Sequence, residues 1–193
     1  MRLKGFGLVV SAAALAAAGQ ARAGDKVLFG PPPVWVVARP PAAEPSKPGD
    51  LPVEIVELDH QVHVEGGAET TYSAVSLKFL KPEGLQAGNL AFSWEPENED
   101  LTVNRVVIHR GDKAIDVLAA GQTFTVLRRE QDLEQATLTG MLTASLIPEG
   151  LQVGDVLEVA STKVSRNPVT GTHAEDVLGP LNIAAGRIDV SVE

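Results

Sequence analysis

The chain has 193 residues, a net charge of −9 and a hydrophobic fraction of 44%, which suffices for the core of one domain. This acidity disfavours binding to nucleic acid or to anionic membrane surfaces. The sequence contains no cysteine, which excludes disulfides, thiolate metal sites and a cysteine nucleophile. Aromatic residues make up 4% of the chain, so we expect a core of mainly aliphatic side chains.

Residues 1–23 are predicted to form a secretory signal peptide, with an N-terminal membrane anchor as the alternative. Arg2 and Lys4 precede an apolar run over residues 6–18 that is short for a membrane span. Residues 21–23, Ala-Arg-Ala, form a small-x-small cleavage site. Because the segment carries three basic residues and no acidic one, its removal leaves a net charge of −12. We expect a periplasmic or secreted protein with no membrane insertion after cleavage.

Residues 24–52 are predicted to be extended chain rather than packed structure, because eight of the 13 prolines lie between positions 31 and 52. Residues 34–37, Val-Trp-Val-Val, interrupt the proline pattern. We interpret them as a short edge strand whose Trp35 covers the core. The alternative is a docking segment in which Trp35 inserts into a groove.

Residues 53–193 are predicted to form one domain, because apolar residues alternate in short runs between turn residues. A strand over residues 53–64, with a possible bulge, should form a hairpin with a strand over residues 72–81 across Gly66-Gly67. Further strands are expected at residues 90–94, 101–110, 114–118, 124–127 and 188–192. The last strand indicates either a sheet edge or a chain that continues. The predicted fold class is all-β, an antiparallel β-sandwich of about eight to ten short strands.

The clearest β pattern covers residues 138–161, and we expect the rest of the chain to be arranged around it. Leu142, Ala144 and Leu146 alternate with polar or flexible residues, as in a strand with one buried face. Pro148-Glu149-Gly150 breaks this run, and a return strand begins near Val156.

An eight-residue sequence occurs twice in similar form, as PEGLQAGN at residues 82–89 and PEGLQVGD at residues 148–155. Each copy lies between two predicted strands and is expected to form a turn. The repetition indicates either an old duplication of a strand-turn-strand unit or one connector type used twice.

The histidines and acidic clusters do not predict a metal site. His60 and His63 are three positions apart on a strand, so they should face opposite sides of the sheet and cannot share an ion without a bulge. An acidic loop contains Glu95, Glu97, Glu99 and Asp100. It lacks the spacing and glycine of a calcium loop, which favours a solvated loop.

Two other groups of polar residues resemble functional sites only weakly. Arg128, Arg129 and Arg166 could hold a carboxylate or phosphate, but surface ion pairs with Glu130, Asp132 and Glu134 are the simpler interpretation. His173, Glu175 and Asp176 could imitate a hydrolase triad with Ser161 or Ser165, but no Gly-x-Ser-x-Gly motif is present. The sequence therefore predicts no catalytic, cofactor-binding or metal-binding residue, and no cofactor.

Residues 53–172 contain three stretches that resemble the DUF3857 domain of exported bacterial proteins. They are Trp94-Glu95-Pro96-Glu97 followed by a strand and Arg110-Gly111-Asp112-Lys113; LRRE at 127–130 with LEQ at 133–135 and TGMLTA at 139–144; and VGDVLE at 153–158 with Asn167-Pro168. The order Arg110-Gly111-Asp112 departs from the family's R-D-G-K pattern, a change that a turn tolerates. The resemblance implies a β-sandwich module that precedes a transglutaminase-like cysteine-enzyme domain. The present chain has no cysteine, so only the accessory module is implied.

We therefore expect a non-catalytic exported module that binds or positions a partner, either a protein domain or a component of the cell envelope. The alternative is a periplasmic peptide- or glycan-binding module, for which Trp35, Tyr72, Trp94 and Phe124 are the aromatic residues that could line a concave face. A third hypothesis is a hydrolase that uses His173.

Overall fold

The computed structural model describes residues 24–39, 51–128, 140–166 and 185–192. The predicted signal peptide and the His173 cluster lie outside these residues. The described chain contains ten strands and one 3₁₀ helix. They are β1 Leu28–Phe29, β2 Val53–Glu65, β3 Ala68–Phe79, the helix Pro82–Gly88, β4 Leu90–Trp94, β5 Glu99–Arg110, β6 Lys113–Asp116, β7 Thr125–Arg128, β8 Leu142–Leu146, β9 Val156–Ser165 and β10 Ala185–Val192.

The strands form two sheets, which confirms the predicted all-β sandwich. The main sheet has the order β1-β5-β9-β3-β2-β10, and β6 also pairs with β5. The small sheet has the order β4-β8-β7. Neighbouring strands are antiparallel except for β1 with β5 and β10 with β2. The last strand therefore closes an edge of the main sheet, one of the two outcomes expected for it.

The hairpin of β2 and β3 is present as predicted. Gly66 and Gly67 form its two-residue turn with φ angles of 59° and 79°, a conformation that glycine adopts without steric cost. The register shifts between Ile55 and Glu57, which confirms the bulge in the first strand. After this bulge, β2 and β3 pair continuously to the turn.

The strands in residues 138–161 occupy central positions, but they do not form the local pair that the sequence suggested. β8 is the middle strand of the small sheet, whereas β9 lies between β5 and β3 in the main sheet. Residues 147–155 thus carry the chain from one sheet to the other. Alternation predicted the buried face of β8 correctly, since Leu142, Ala144 and Leu146 are buried, but alternation carries no information about which strand pairs with which.

The core lies between the sheets and is mainly aliphatic, as expected. One cluster consists of Phe79, Val103, Val106, Ile108, Val117, Leu146, Leu157 and Val159. A second consists of Trp94, Leu101, Leu142 and Ala144. Trp94 is fully buried, and its indole N–H donates a 3.0 Å hydrogen bond to the Gly24 carbonyl. This bond satisfies the one polar atom of a side chain that otherwise packs against apolar neighbours.

The two similar connectors lie side by side, and each crosses between the sheets. Residues 82–88 form a 3₁₀ helix, so the turn predicted there is wrong, whereas residues 148–155 contain two turns. Leu85 and Leu151 both pack against the main core cluster. The amide of Gly154 donates to the Phe79 carbonyl at 2.7 Å, which fixes the second connector beside the end of β3.

Residues 24–39 contact the domain, whereas the prolines of residues 24–52 predicted extended chain that is not packed; residues 40–50 lie outside the described residues. After β1, residues 30–39 cross the face of the main sheet that points away from the small sheet; we call these residues the strap and this face the outer face. The edge strand predicted at residues 34–37 is wrong, because the Val36 amide donates to the Pro33 carbonyl at 3.1 Å in a turn. The Asn104 amide donates to the Gly30 carbonyl at 3.1 Å and holds the start of the strap.

Candidate binding site

A cavity of about 180 Å³ lies between the strap and the outer face of the main sheet. Its walls are Pro32, Val36, Val37, Ala38 and Arg39 from the strap and Glu57, Asp59, Tyr72, Ala74, Ser76, Arg105 and Glu158 from the sheet. Alternation along the strands places these sheet residues on one face. The side chains of Ala74 and Ser76 are small, which leaves space beneath the strap.

Asp59 is the most deeply buried charged residue of this cavity, with 5% of its surface exposed. Its Oδ2 accepts a 2.8 Å hydrogen bond from Gln61 Nε2. Its Oδ1 is buried and accepts no hydrogen bond within the described chain. The Nε–H of Arg39 is also buried and donates no hydrogen bond there. These two atoms lie 3.9 Å apart, which is beyond hydrogen-bond distance. Asp59 and Arg39 therefore form an ion pair between β2 and the strap without a direct hydrogen bond between these two atoms.

Gln61 holds the strap over the cavity through its side-chain amide. The Val37 amide donates to Gln61 Oε1 at 2.9 Å, and Gln61 Nε2 donates to the Val37 carbonyl at 2.9 Å. This exchange resembles the paired hydrogen bonds between neighbouring strands. Trp35 adds a stacking contact with His63, whose ring centroid is 5.2 Å away at an interplanar angle of 20°.

The opposite wall carries an ion-pair network and a buried tyrosine. Glu158 pairs with Arg105, and His109 Nε2 lies 2.9 Å from the other Glu158 oxygen. Burial raises the pKa of Tyr72, and the carboxylates of Asp59 and Glu158 raise it further, while Arg105 opposes them. The Tyr72 hydroxyl is therefore a neutral donor at physiological pH.

The two histidines considered as metal ligands lie on opposite faces of β2, as alternation predicted. His60 Nδ1 is 3.0 Å from Ser73 Oγ, whereas His63 stacks on Trp35 at the outer face. Within the described residues, no group of three or more potential ligands is arranged to hold a metal ion.

The acidic residues at positions 95–100 are paired with nearby groups. Glu95 accepts from the Asn98 side chain at 3.0 Å, and Glu99 accepts from the Glu95 amide at 2.9 Å. Glu99 also pairs with Lys163 at 2.9 Å, and Asp100 with Arg166 at 2.7 Å. Glu97 lines a second hollow. Three of the four carboxylates thus hold the loop and the start of β5 to other parts of the chain.

The three arginines considered as an anion site are not shown as a group. Arg166 is paired with Asp100, and Arg128 lines the hollow beside Glu95 and Glu97. Arg129 and its predicted partners Glu130, Asp132 and Glu134 lie outside the described residues. Of the proposed hydrolase groups, Ser161 and Ser165 lie on β9, and His173, Glu175 and Asp176 lie outside the described residues.

The four aromatic side chains considered for a concave binding face are dispersed. Trp94 is in the core, and Phe124 packs against Phe92 with a centroid distance of 5.7 Å. Trp35, which belongs to the strap, stacks on His63 of β2. Tyr72 is the one of the four that lines the cavity.

Two residues from the resembling motifs form an ion pair in which the carboxylate is buried and the guanidinium is partly exposed. Arg110 Nε and Nη2 donate to the two carboxylate oxygens of Asp155, both at 2.8 Å. Asp155 Oδ2 also accepts from the Gln152 amide at 2.8 Å, and Arg110 Nη2 donates to the Gly150 carbonyl at 2.6 Å. The hydrogen bond with Arg110 lowers the pKa of the Asp155 carboxyl. This pair fastens the second connector to the end of β5.

The cavity beneath the strap was not predicted from the sequence. Its residues come from β2, β3, β5, β9 and the strap, and their proximity depends on strand order and register. The alternation of Glu57, Asp59 and Gln61 was the one local signal. This pattern is typical of a strand face that points to solvent. The face lines a cavity here because the strap covers it.

The two sheets, the outer face covered by the strap and the Arg110–Asp155 ion pair define a β-sandwich module. The chain belongs to the DUF3857 family, a domain of unknown function with a solved structure, whose model matches residues 65–192. This confirms the resemblance seen in the sequence. No curated protein matches the chain.

One similar solved structure is the crystal structure of a candidate protease from Parabacteroides distasonis ATCC 8503. The identity is 11%, the TM-score is 0.51, and the match covers 59% of the present chain and 23% of that chain. At this identity the similarity concerns the fold alone. In the part of the chain that the structure describes, no helix is both long and apolar enough to cross a membrane.

Proposed function

We propose that this chain is an exported, non-catalytic module that binds and positions a partner domain in the periplasm or outside the cell. The observation that carries the proposal is that a similar fold occupies 23% of a longer chain named as a candidate protease, so this architecture occurs as one part of a larger protein. The motif residues Trp94, Arg110 and Asp155 support it, because all three hold the fold together.

The resemblance to DUF3857 proteins makes a transglutaminase-like domain the preferred partner. Such a domain supplies its own cysteine nucleophile, so a module without cysteine can serve it by contact alone. The acidic charge of the chain would favour a partner surface of positive charge.

One end of the sandwich is the preferred contact surface, and we call it the connector end. The Leu80 amide donates to the Pro52 carbonyl at 2.9 Å and the Gly154 amide to the Phe79 carbonyl, so the segments around residues 51, 80 and 154 are neighbours. Two exposed apolar side chains belong to this region: Leu51 and Val153, with exposures of 48% and 46%. Exposed apolar groups gathered at one place are typical of protein contacts.

Association is tested with a separately produced transglutaminase-like domain from a DUF3857 protein, titrated calorimetrically with the present chain. We expect a one-to-one complex with micromolar affinity, as for a small transient interface. Val153→Glu should weaken it, whereas Leu127→Glu, at a similarly exposed leucine of the small sheet (50%), is the matched control. Absence of binding, with both proteins folded, would contradict the proposal.

Export is tested by expressing the full chain in a Gram-negative host and measuring the mass of the protein in the periplasmic fraction. The predicted cleavage yields a mature N-terminus at Gly24. A cytoplasmic protein that keeps residues 1–23 would show that this part of the proposal is wrong.

A further inference from the structure

The strap runs antiparallel to β2 and contacts it at every second residue. One contact is a stacked pair of rings, the next is a pair of backbone hydrogen bonds, and the third is an ion pair. In that order they are Trp35 with His63, Val37 with Gln61, and Arg39 with Asp59. Because alternate residues of a strand share one face, the three β2 side chains form a row on the outer face, which we call the β2 row. The β2 row therefore holds an extended segment in one register.

The strap is held by polar and stacking contacts rather than by burial in the core. Neither core cluster includes a residue of the strap. The side chains of Val34 and Val37 are 105% and 49% exposed, so the strap has a side that faces solvent. A neutral hydrogen bond contributes only about 0.5–1.5 kcal/mol net, and segments with few buried apolar contacts separate from a fold at low free-energy cost. The strap can therefore leave the β2 row while the two sheets stay folded.

The strap also fits the β2 row incompletely. A hollow remains between the strap and the sheet, whereas the interiors of proteins are close-packed. The ion pair of Arg39 with Asp59, at 3.9 Å, lacks the direct hydrogen bond that makes a charged pair strong. A segment that filled the hollow and formed this hydrogen bond would bind the row more tightly than the strap does.

The strap itself shows the chemistry of such a segment. Its aromatic ring lies on the flat imidazole of His63, and its arginine, four positions later, meets the carboxylate of Asp59. We propose that the β2 row binds an extended segment of a partner protein that carries an aromatic residue and, four positions later, an arginine. The strap occupies the row until this segment displaces it. The inference goes beyond the proposed positioning role, and it concerns the outer face rather than the connector end.

The probe is a synthetic peptide with the sequence of residues 30–39, GPPPVWVVAR, titrated into the isotope-labelled chain and followed by NMR. In the Trp35→Ala/Arg39→Gln chain, the strap is weakened and the β2 row is intact. We expect this chain to bind the peptide at least about tenfold more tightly than wild type, whose strap competes at an effective concentration of the order of millimolar. A control peptide with the same two substitutions should bind the weakened chain about tenfold more weakly. No binding to the weakened chain, equal binding to wild type, or equal binding of the control peptide would overturn the proposal.

Further variants of the weakened chain connect the binding to the β2 row. Gln61→Ala removes the side chain that binds the strap backbone and should reduce peptide affinity about tenfold. His63→Ala removes the stacking ring and should reduce it roughly threefold or more. The matched control is Gln122→Ala, whose side chain accepts from the Glu149 amide elsewhere, and it should leave the affinity unchanged.

Circular dichroism checks the fold of each variant, and His63→Ala is decisive if Gln61→Ala does not fold. Unchanged affinity in a folded His63→Ala chain would overturn the assignment of the row. The oligomeric state, measured by light scattering, tests the other possible occupant. A wild-type dimer that the Gln61→Ala substitution separates into monomers would assign the row to the strap of a second copy and overturn the proposed partner segment.

Discussion

Replacing Asp155 by asparagine tests the structural role of the Arg110–Asp155 ion pair. The Asp155 side chain is 3% exposed and accepts hydrogen bonds from Arg110 and from the Gln152 amide. The variant keeps the shape but loses the charge and one acceptor. Because a hydrogen bond to a charged group contributes about 1.5–3 kcal/mol, we expect a loss of this size in the free energy of unfolding at pH 7, measured by urea denaturation. For a chain of this length, this loss lowers Tm by roughly 3–12 °C.

The pH dependence provides an independent check on the Asp155 variant. Because the hydrogen bond with Arg110 lowers the pKa of Asp155 in the folded state, the ionised carboxylate stabilises the fold above its unfolded pKa of about 3.9. This contribution is lost as the pH falls through the lower folded pKa. The wild type should therefore lose stability below about pH 4, and Asp155→Asn should lack that part of the loss. Asp112→Asn, at an exposed turn residue, is the control, and equal stability of wild type and Asp155→Asn at pH 7 would refute the reasoning.

Other variants test the packing of the connectors, the strap and the core. Gly84→Ala places a Cβ too close to the backbone oxygen of Pro52 and should cost about 1–3 kcal/mol in the free energy of unfolding, measured by urea denaturation. Gly30→Ala, where the Cβ meets open space, should change stability by less than about 0.5 kcal/mol. Similar values for both variants would contradict the close approach at Gly84. Gln61→Ala removes both hydrogen bonds to the strap and should increase acrylamide quenching of Trp35 fluorescence; unchanged quenching would argue against a strap held by this amide. Trp94→Ala should cost about 3–5 kcal/mol by the same denaturation assay, and a loss below about 1 kcal/mol would be inconsistent with full burial.

Local patterns predicted those parts of the fold that depend on neighbouring residues. The β2–β3 hairpin followed from Gly66-Gly67, because two consecutive glycines supply the positive φ angles of a two-residue turn. The buried face of β8 followed from a period of two in the sequence. Both features depend on stretches of about ten residues or fewer. Over such stretches, backbone steric preference and the pattern of apolar residues predict the same local structure.

The assignment of strands to the two sheets and the position of the strap depend on contacts between residues far apart in the sequence. Prolines at residues 31–33 predicted an unpacked segment, since proline lacks an amide donor. The strap instead uses the amide and carbonyl of Val37, which bond to Gln61, a residue 24 positions away. The position of Asp59 opposite Arg39 follows from the path of the strap. Sequence patterns gave no sign of that path.

The two connectors have similar sequences but different backbone conformations. Gly84 and Gly150 occupy the same place in the repeated sequence, yet Gly84 is buried in a 3₁₀ helix, whereas Gly150 is an exposed turn residue with a φ of 77°. The packing around them differs: Gly84 lies against the backbone of Pro52, while the carbonyl of Gly150 accepts from Arg110. The leucine that follows each glycine packs against the same core cluster. The shared residues therefore have a shared structural role, because both connectors cross between the sheets and bury one leucine. The tertiary neighbours of each connector determine its backbone conformation.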